Sequence, residues 1–147
     1  MCIDVRKTCE CGANSVQFHL RDNVILPEAI TRVFCPSCPG ETPYNDDTML
    51  LDNGWVIEYD MVLAKFLVGG KLALTPDQIT PALLFDEGYA CWLEMYPGEK
   101  EAIRAEKEQL LRIKEKDQRQ YLTAITAWNI DRINKIKDAG WRKGLRA

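Results

Sequence analysis

The sequence predicts an α+β protein, and three observations carry that prediction. Short stretches before position 60 alternate polar and apolar residues, the pattern of half-buried strands. An Asn53-Gly54 pair sits between two apolar runs, where it suits a two-residue hairpin turn. From Glu99 onward the chain is dominated by Glu, Lys, Arg, Leu and Ala, all strong helix formers. Three regions follow: an N-terminal β region over residues 1–43, a mixed α/β core with a hairpin over 44–97, and a C-terminal region of long helices over 98–147.

Taken in order, Ser15-Val16-Gln17-Phe18-His19-Leu20 alternates and reads as a strand, and Ile30-Thr31-Arg32-Val33-Phe34 reads as a second, with Pro27 marking a break between them. A turn-rich stretch, Cys38-Pro39-Gly40-Glu41-Thr42-Pro43, closes the first region. Met49–Asp52 and Trp55–Tyr59 form the arms of the Asn53-Gly54 hairpin. Asp60 is placed to cap a short helix from Met61 to Val68, which Gly69-Gly70 should stop. That helix is apolar nearly all round and is expected to be buried. Thr75-Pro76-Asp77-Gln78 has the residues of another helix start, with Pro81 ending or redirecting it. Glu99 to Lys116 reads as one helix, with Ile103, Leu110 and Ile113 on one face. Asp117-Gln118-Arg119-Gln120 repeats the capping pattern, so a second helix is expected from Gln118 to Ala139, ended by Gly140. Its stripe of Leu122, Ile125, Ile133 and Ile136, flanked by Tyr121, Trp128 and Ile130, is wide enough for more than one neighbour.

Composition bounds what the chain can be. The 147 residues, 46% apolar and 28% charged, suit one folded domain or a domain with a small appendage and exclude disorder over most of the length. The longest apolar run, Met61 to Val68, is interrupted by Lys65 and is too short to span a bilayer. The first seven residues lack the apolar stretch of a secretion signal, so a cytoplasmic location without a membrane partner is expected. Residues 1–97 carry 6 basic and 14 acidic side chains, a net −8, and residues 98–147 carry 13 and 8, a net +5. Such halves can attract each other, a second copy or a polyanion.

Cysteine placement carries the chemistry. Of six cysteines, four fall in two tight pairs, Cys9-Glu10-Cys11 and Cys35-Pro36-Ser37-Cys38. In a reducing compartment disulfides are a poor explanation. Each pair puts two sulfurs at the tip of a turn, and two turns supply the four thiolates of a tetrahedral metal site. The residues from Gly12 to Phe34 are numerous enough for a hairpin that brings the tips together. These pairs, each at the end of a strand-like segment, resemble zinc ribbons and the related rubredoxin-like metal knuckles over about residues 7 to 40. That resemblance implies Cys9, Cys11, Cys35 and Cys38 as ligands of Zn²⁺, with Fe as the alternative. It also matches Gly12 to the glycine that lets backbone N–H groups approach sulfur. The chain departs from the pattern in the single residue between Cys9 and Cys11 and in Pro39, which has no N–H to donate. Four thiolates around Zn²⁺ leave a formal charge of about −2, which Arg6, Lys7 and Arg32 are close enough in sequence to offset. Cys2 reads as a free thiol and Cys91 as a small buried residue.

Other chemistry has weaker support. His19, the single histidine, lies in a strand pattern and reads as a surface or packing residue. Asp46, Asp47 and Asp52, and the Asp86-Glu87 pair, can serve acid–base or Mg²⁺ chemistry but read as solvated turns. No phosphate-binding glycine loop occurs. Residues 132–147 hold six basic groups against Asp138, with Trp128 and Trp141 nearby, a combination that can hold single-stranded nucleic acid. The sequence pI of about 5.3 argues against that. The expectation is a non-catalytic, metal-stabilised protein-interaction module, with an unknown protein partner or a homodimer through the C-terminal helices. The alternatives are a nucleic-acid-associated zinc-ribbon protein and, third, an iron-site electron carrier or an unrecognised enzyme.

Overall fold

The computed structural model describes residues 2–40 and 43–146; Glu41 and Thr42 of the expected turn lie outside them. The chain divides into two compact units, Met1–Leu93 and Glu94–Ala147.

The first unit holds two three-stranded antiparallel sheets. β1 (Ile3–Thr8) pairs with β2 (Ser15–Leu20), whose other edge takes the two-residue β6 (Cys91–Trp92). β3 (Ile30–Phe34) pairs with β5 (Trp55–Tyr59), and β5 pairs with β4 (Met49–Asp52). The alternation in β2 buries Val16, Phe18 and Leu20 and exposes Ser15 and Gln17. The β4–β5 turn has φ of +50° at Asn53 and +93° at Gly54, as a two-residue hairpin loop requires. Trp92 joins the sheets. Its ring packs on Phe18 at 5.2 Å and Trp55 at 5.7 Å between centroids, and its indole Nε1–H donates to Asp52 Oδ2 at 2.7 Å.

Asp60 caps α1 (Met61–Leu72) by accepting from the Leu63 N–H at 3.0 Å. The helix does not stop at Gly69-Gly70. It continues one turn to Ala73, which adopts the left-handed conformation, because Lys71 Nζ anchors that turn to the carbonyls of Asn23 (3.0 Å) and Val24 (3.3 Å). Nor is it buried all round. Met61, Ala64 and Val68 face the core, while Val62 is 83% and Phe66 78% exposed. Thr75 to Gln78 makes only a single 3₁₀ turn, although Gln78 Oε1 does reach back to the Thr75 N–H at 2.9 Å. Pro81 opens rather than ends a helix, α2 (Pro81–Asp86), with Thr80 as its cap.

The second unit is helical: α3 (Glu99–Ala102), α4 (Arg104–Lys116), α5 (Gln118–Ala139) and α6 (Arg142–Leu145). Asp117 makes the expected break, its Oδ1 accepting from the N–H groups of Arg119 and Gln120, and Gly140 ends α5 at φ +89°. The expected first helix is divided at Ile103, which leaves helical geometry at ψ 4° while its side chain enters the core. α4 and α5 run antiparallel and bury Ile103, Leu110 and Ile136. Of the α5 stripe only Ile136 is buried; Leu122 and Ile130 are exposed. α6 packs against α5 through Gly144, where an added Cβ would collide with Ile136.

A four-cysteine candidate metal centre

The first pair of cysteines sits in the connection between β1 and β2. The Cys9 N–H donates to the Asn14 carbonyl and the Gly12 N–H to the Cys9 carbonyl, both at 2.9 Å. The turn curls back on itself with Gly12 at φ +76°. The second pair follows β3 directly. There the Cys38 N–H donates to the Cys35 carbonyl at 3.1 Å, and the Cys35 N–H donates to Cys38 Sγ at 3.2 Å. The Glu10 N–H donates to the Val33 carbonyl at 2.9 Å, which fastens one turn to the other. The two tips do meet, but not through a hairpin spanning Gly12 to Phe34. β2 pairs with β1 and β3 with β5, so that segment passes from one sheet to the other.

All four sulfurs lie within 4.8 Å of one another. Cys9 and Cys11 are 3.1 Å apart, Cys11 and Cys35 3.5 Å, and Cys35 and Cys38 3.5 Å. A disulfide would be about 2.05 Å, and all four cysteines are free. Ligands at about 2.3 Å around a tetrahedral ion are separated by roughly 3.8 Å, which the observed spread brackets. The donor set therefore fits a thiophilic metal ion. Cys9 and Cys35 are buried, and Cys11 and Cys38 half-buried.

The sulfurs share protons unequally. Burial pushes the Cys9 thiol up, but hydrogen bonds from Cys11, the Asn14 backbone and Cys35 outweigh it and bring the value down to about 6. Cys35 is also lowered, against its burial, by the Asn14 side chain, Cys11 and Cys38. At Cys11 the Ala13 backbone favours the thiolate, but Cys9, burial, Cys35 and Cys38 together push the thiol up to about 12. A cluster that holds protons between crowded sulfurs is one that a cation can enter by displacing them.

Charge compensation differs from the expectation. Arg32 does not serve the sulfurs, because Glu58 on β5 engages it through Nε and Nη2, both at 2.8 Å. Its guanidinium also lies 5.3 Å above the Phe34 ring. Asn14 went unnoticed in the sequence, yet it supports both pairs; the only signal for it was its place after Cys11-Gly12-Ala13.

The remaining candidates lie outside the cluster. Cys2 is exposed, and its sulfur accepts from the Asp22 N–H at 3.4 Å. Cys91 is buried in β6, opposite His19. His19 Nδ1 and Asp4 Oδ1 meet at 3.0 Å across the β1–β2 pair. Asp52 is not a solvated turn residue, being 1% exposed beneath Trp92. The Asp47 N–H donates to Asn45 Oδ1, and the Glu87 carbonyl accepts from Arg21. No helix among the described residues is long and apolar enough to cross a membrane. Compared with family models, with curated proteins and with solved structures, the chain matches none.

Proposed function

We propose that the chain is a non-catalytic protein-interaction module whose first unit is stabilised by one zinc ion, held in a zinc-ribbon-like manner by Cys9, Cys11, Cys35 and Cys38. The observation that carries this reading is the convergence of four sulfurs from two turns. Four thiolates complete a tetrahedral shell and leave no position for a substrate, the hallmark of a structural site. Such an ion cross-links β1–β2 to β3 and adds its binding energy to folding. Exposed apolar side chains, Val62 and Phe66 on α1 and Leu111, Leu122 and Ile130 on the C-terminal helices, support a partner, either another protein or a second copy docked on those helices. Nucleic acid is less well supported. Trp141 stacks on Tyr96 at 5.2 Å and the Trp128 ring carries Arg132 at 5.4 Å, so both rings already have partners.

Elemental analysis of the purified chain tests the reading. One zinc per chain in a colourless preparation is expected, with the first unit unfolding when a strong chelator removes the ion. A red or brown preparation with stoichiometric iron would move the assignment to an iron site. A metal-free chain whose first unit folds equally well would end the proposal. Light scattering checks the second copy, since a monomer at high concentration excludes it.

A further inference from the structure

Among the described residues, β1 is the longest strand left at a sheet edge, and it pairs with β2 alone. Of the other edges, β3 already gives its Val33 carbonyl to the Glu10 N–H, and β4 and β6 have four and two residues against the six of β1. An edge strand presents a row of N–H and C=O groups that a further strand can take. The burial of β1 shows the same missing neighbour. Ile3 and Val5 lie opposite Leu20 and Phe18 of β2, both 0% exposed, yet are themselves only half-buried. Asp4, Arg6 and Thr8, on the other face, are exposed.

The charges on β1 suit one partner, a second copy of the same strand. Charge on an edge commonly keeps other chains away, but that works only where the charges that meet are alike. Asp4 and Arg6 are of opposite sign and straddle Val5. Set two copies antiparallel about a two-fold axis at Val5. Val5 then meets its counterpart, and each Asp4 lies directly opposite the second copy's Arg6. Ile3 lies opposite Lys7, whose aliphatic stem covers apolar surface. Opposite charges facing across strands stabilise a sheet and like charges destabilise it. Other registers lose this match. An axis at Asp4 or at Arg6 sets that residue against itself, and a parallel in-register pair sets like against like throughout. A one-residue slip turns the Ile3–Val5 face against the charged one. Both charges have capacity to spare: Arg6 has no ion-pair partner among the described residues, and Asp4 meets His19 through Oδ1. We propose that β1 is a homodimer interface, in which a second copy adds its own β1 antiparallel about Val5 and joins two three-stranded sheets into one of six strands. The contact is isologous, lies apart from the helix faces considered above, and does not depend on which metal the cysteines hold.

Sedimentation velocity on the full chain tests this. Residues 1–97 carry a net −8, so the buffer holds about 0.15 M salt, which screens that repulsion beyond about 8 Å. The contact is small, so a weak dimer is expected, and protein concentration is taken to the solubility limit. Asp4→Arg and Arg6→Asp each make both cross-axis pairs repulsive and should weaken association about tenfold or more. An equimolar mixture of the two variants faces opposite charges at both pairs again and should dimerise, as should the double variant Asp4→Arg/Arg6→Asp. Circular dichroism checks that each variant is folded. Should one fail to fold, hydrogen exchange of the wild-type β1 amides still decides, since their protection should rise with protein concentration. A monomer at the solubility limit, a dimer that both single variants leave intact, no dimer from the mixture of folded variants, or β1 exchange independent of concentration would each overturn the proposal. None of these results alters the zinc reading, which stands or falls on metal content.

Discussion

Two glycines near the cysteine centre allow its mechanical coupling to the hairpin to be measured. Gly12 and Gly54 both have left-handed φ, +76° and +93°, so alanine at either position meets a conformational cost of about 1–2 kcal/mol. They differ in what an added Cβ would touch. At Gly12 nothing lies within 4 Å, whereas at Gly54 Pro36 Cγ lies at 3.1 Å and Pro36 Cβ at 3.3 Å. Pro36 belongs to the Cys35–Cys38 turn, and its rigid ring cannot swing aside without moving the cysteine before it. Overpacking of this kind costs about 1–3 kcal/mol. Gly54→Ala should therefore lose about 2–5 kcal/mol in total, against about 1–2 for Gly12→Ala. Urea denaturation with saturating Zn²⁺, followed by circular dichroism, reads the two losses. Displacement of Cys35 should also weaken Co²⁺ affinity in Gly54→Ala, seen in the thiolate-to-metal absorption. If Gly54→Ala proves no more costly than Gly12→Ala, the hairpin tip does not brace the second cysteine turn and the coupling argument fails.

Two further outcomes follow from buried or paired carboxylates. Asp52→Ala strands the buried Trp92 indole N–H and should cost about 1–3 kcal/mol; Asp52→Asn keeps an oxygen acceptor and should lose less. A double-mutant cycle with Trp92→Phe checks that the loss belongs to this bond, and zero coupling would count against it. The two units should respond to pH in opposite senses. Hydrogen bonds from Arg32 hold Glu58 below its ordinary 4.5, so its contribution to the first unit is present above pH 4.5 and is lost as pH falls through the lower folded value. Burial, with the nearby Glu94 charge, raises Glu99 above 4.5 against the attraction of Arg132, Lys107 and Lys143. Its contribution to the second unit is thus full below pH 4.5 and is lost as pH rises through the folded value. Residue-resolved hydrogen exchange at several pH values, comparing wild type with Glu58→Gln and Glu99→Gln, should give difference curves of opposite slope; curves of the same sign would refute the assignment.

The parts of the fold that could be read from the sequence are those whose signal is local. The Asn53-Gly54 turn, the Asp60 and Asp117 caps and the Gly140 stop each rest on a few adjacent residues, and each stands where those residues place it. What escaped depends on distant partners. β1 has no clear bounds in the sequence because its only apolar residues are Ile3 and Val5, and both are merely half-buried. β6 has two residues, too few for any period, and exists because β2 offers it an edge. α1 runs past two glycines because carbonyls at Asn23 and Val24 hold Lys71. Its exposed Phe66 shows that an apolar sequence does not by itself bury a face.

The candidate site divides along the same line. Spacing identified the four cysteines because two sulfurs one or two residues apart must share a turn, whatever the rest of the chain does. Spacing could not show how the turns meet, since the alternation of Ser15 to Leu20 fits pairing with β1 or with β3 equally well. Arg32 is the sharpest case. It lies three residues from Cys35 in sequence, and proximity suggested that it offsets the thiolates. Strand alternation instead turns it toward Glu58, its directly paired neighbour across the sheet, and a bidentate carboxylate is a stronger claim on a guanidinium than a sulfur one turn away. Stabilisation of thiolate at this centre then falls to donors that sequence cannot rank. These are the Cys35 N–H bonded to Cys38 Sγ, Asn14, and the sulfurs' own hydrogen bonds, which lower Cys9 and Cys35 at the expense of Cys11. A metal ion that takes up these sulfurs displaces the protons they share, at a centre where Cys9 and Cys35 are already lowered and Cys11 is raised.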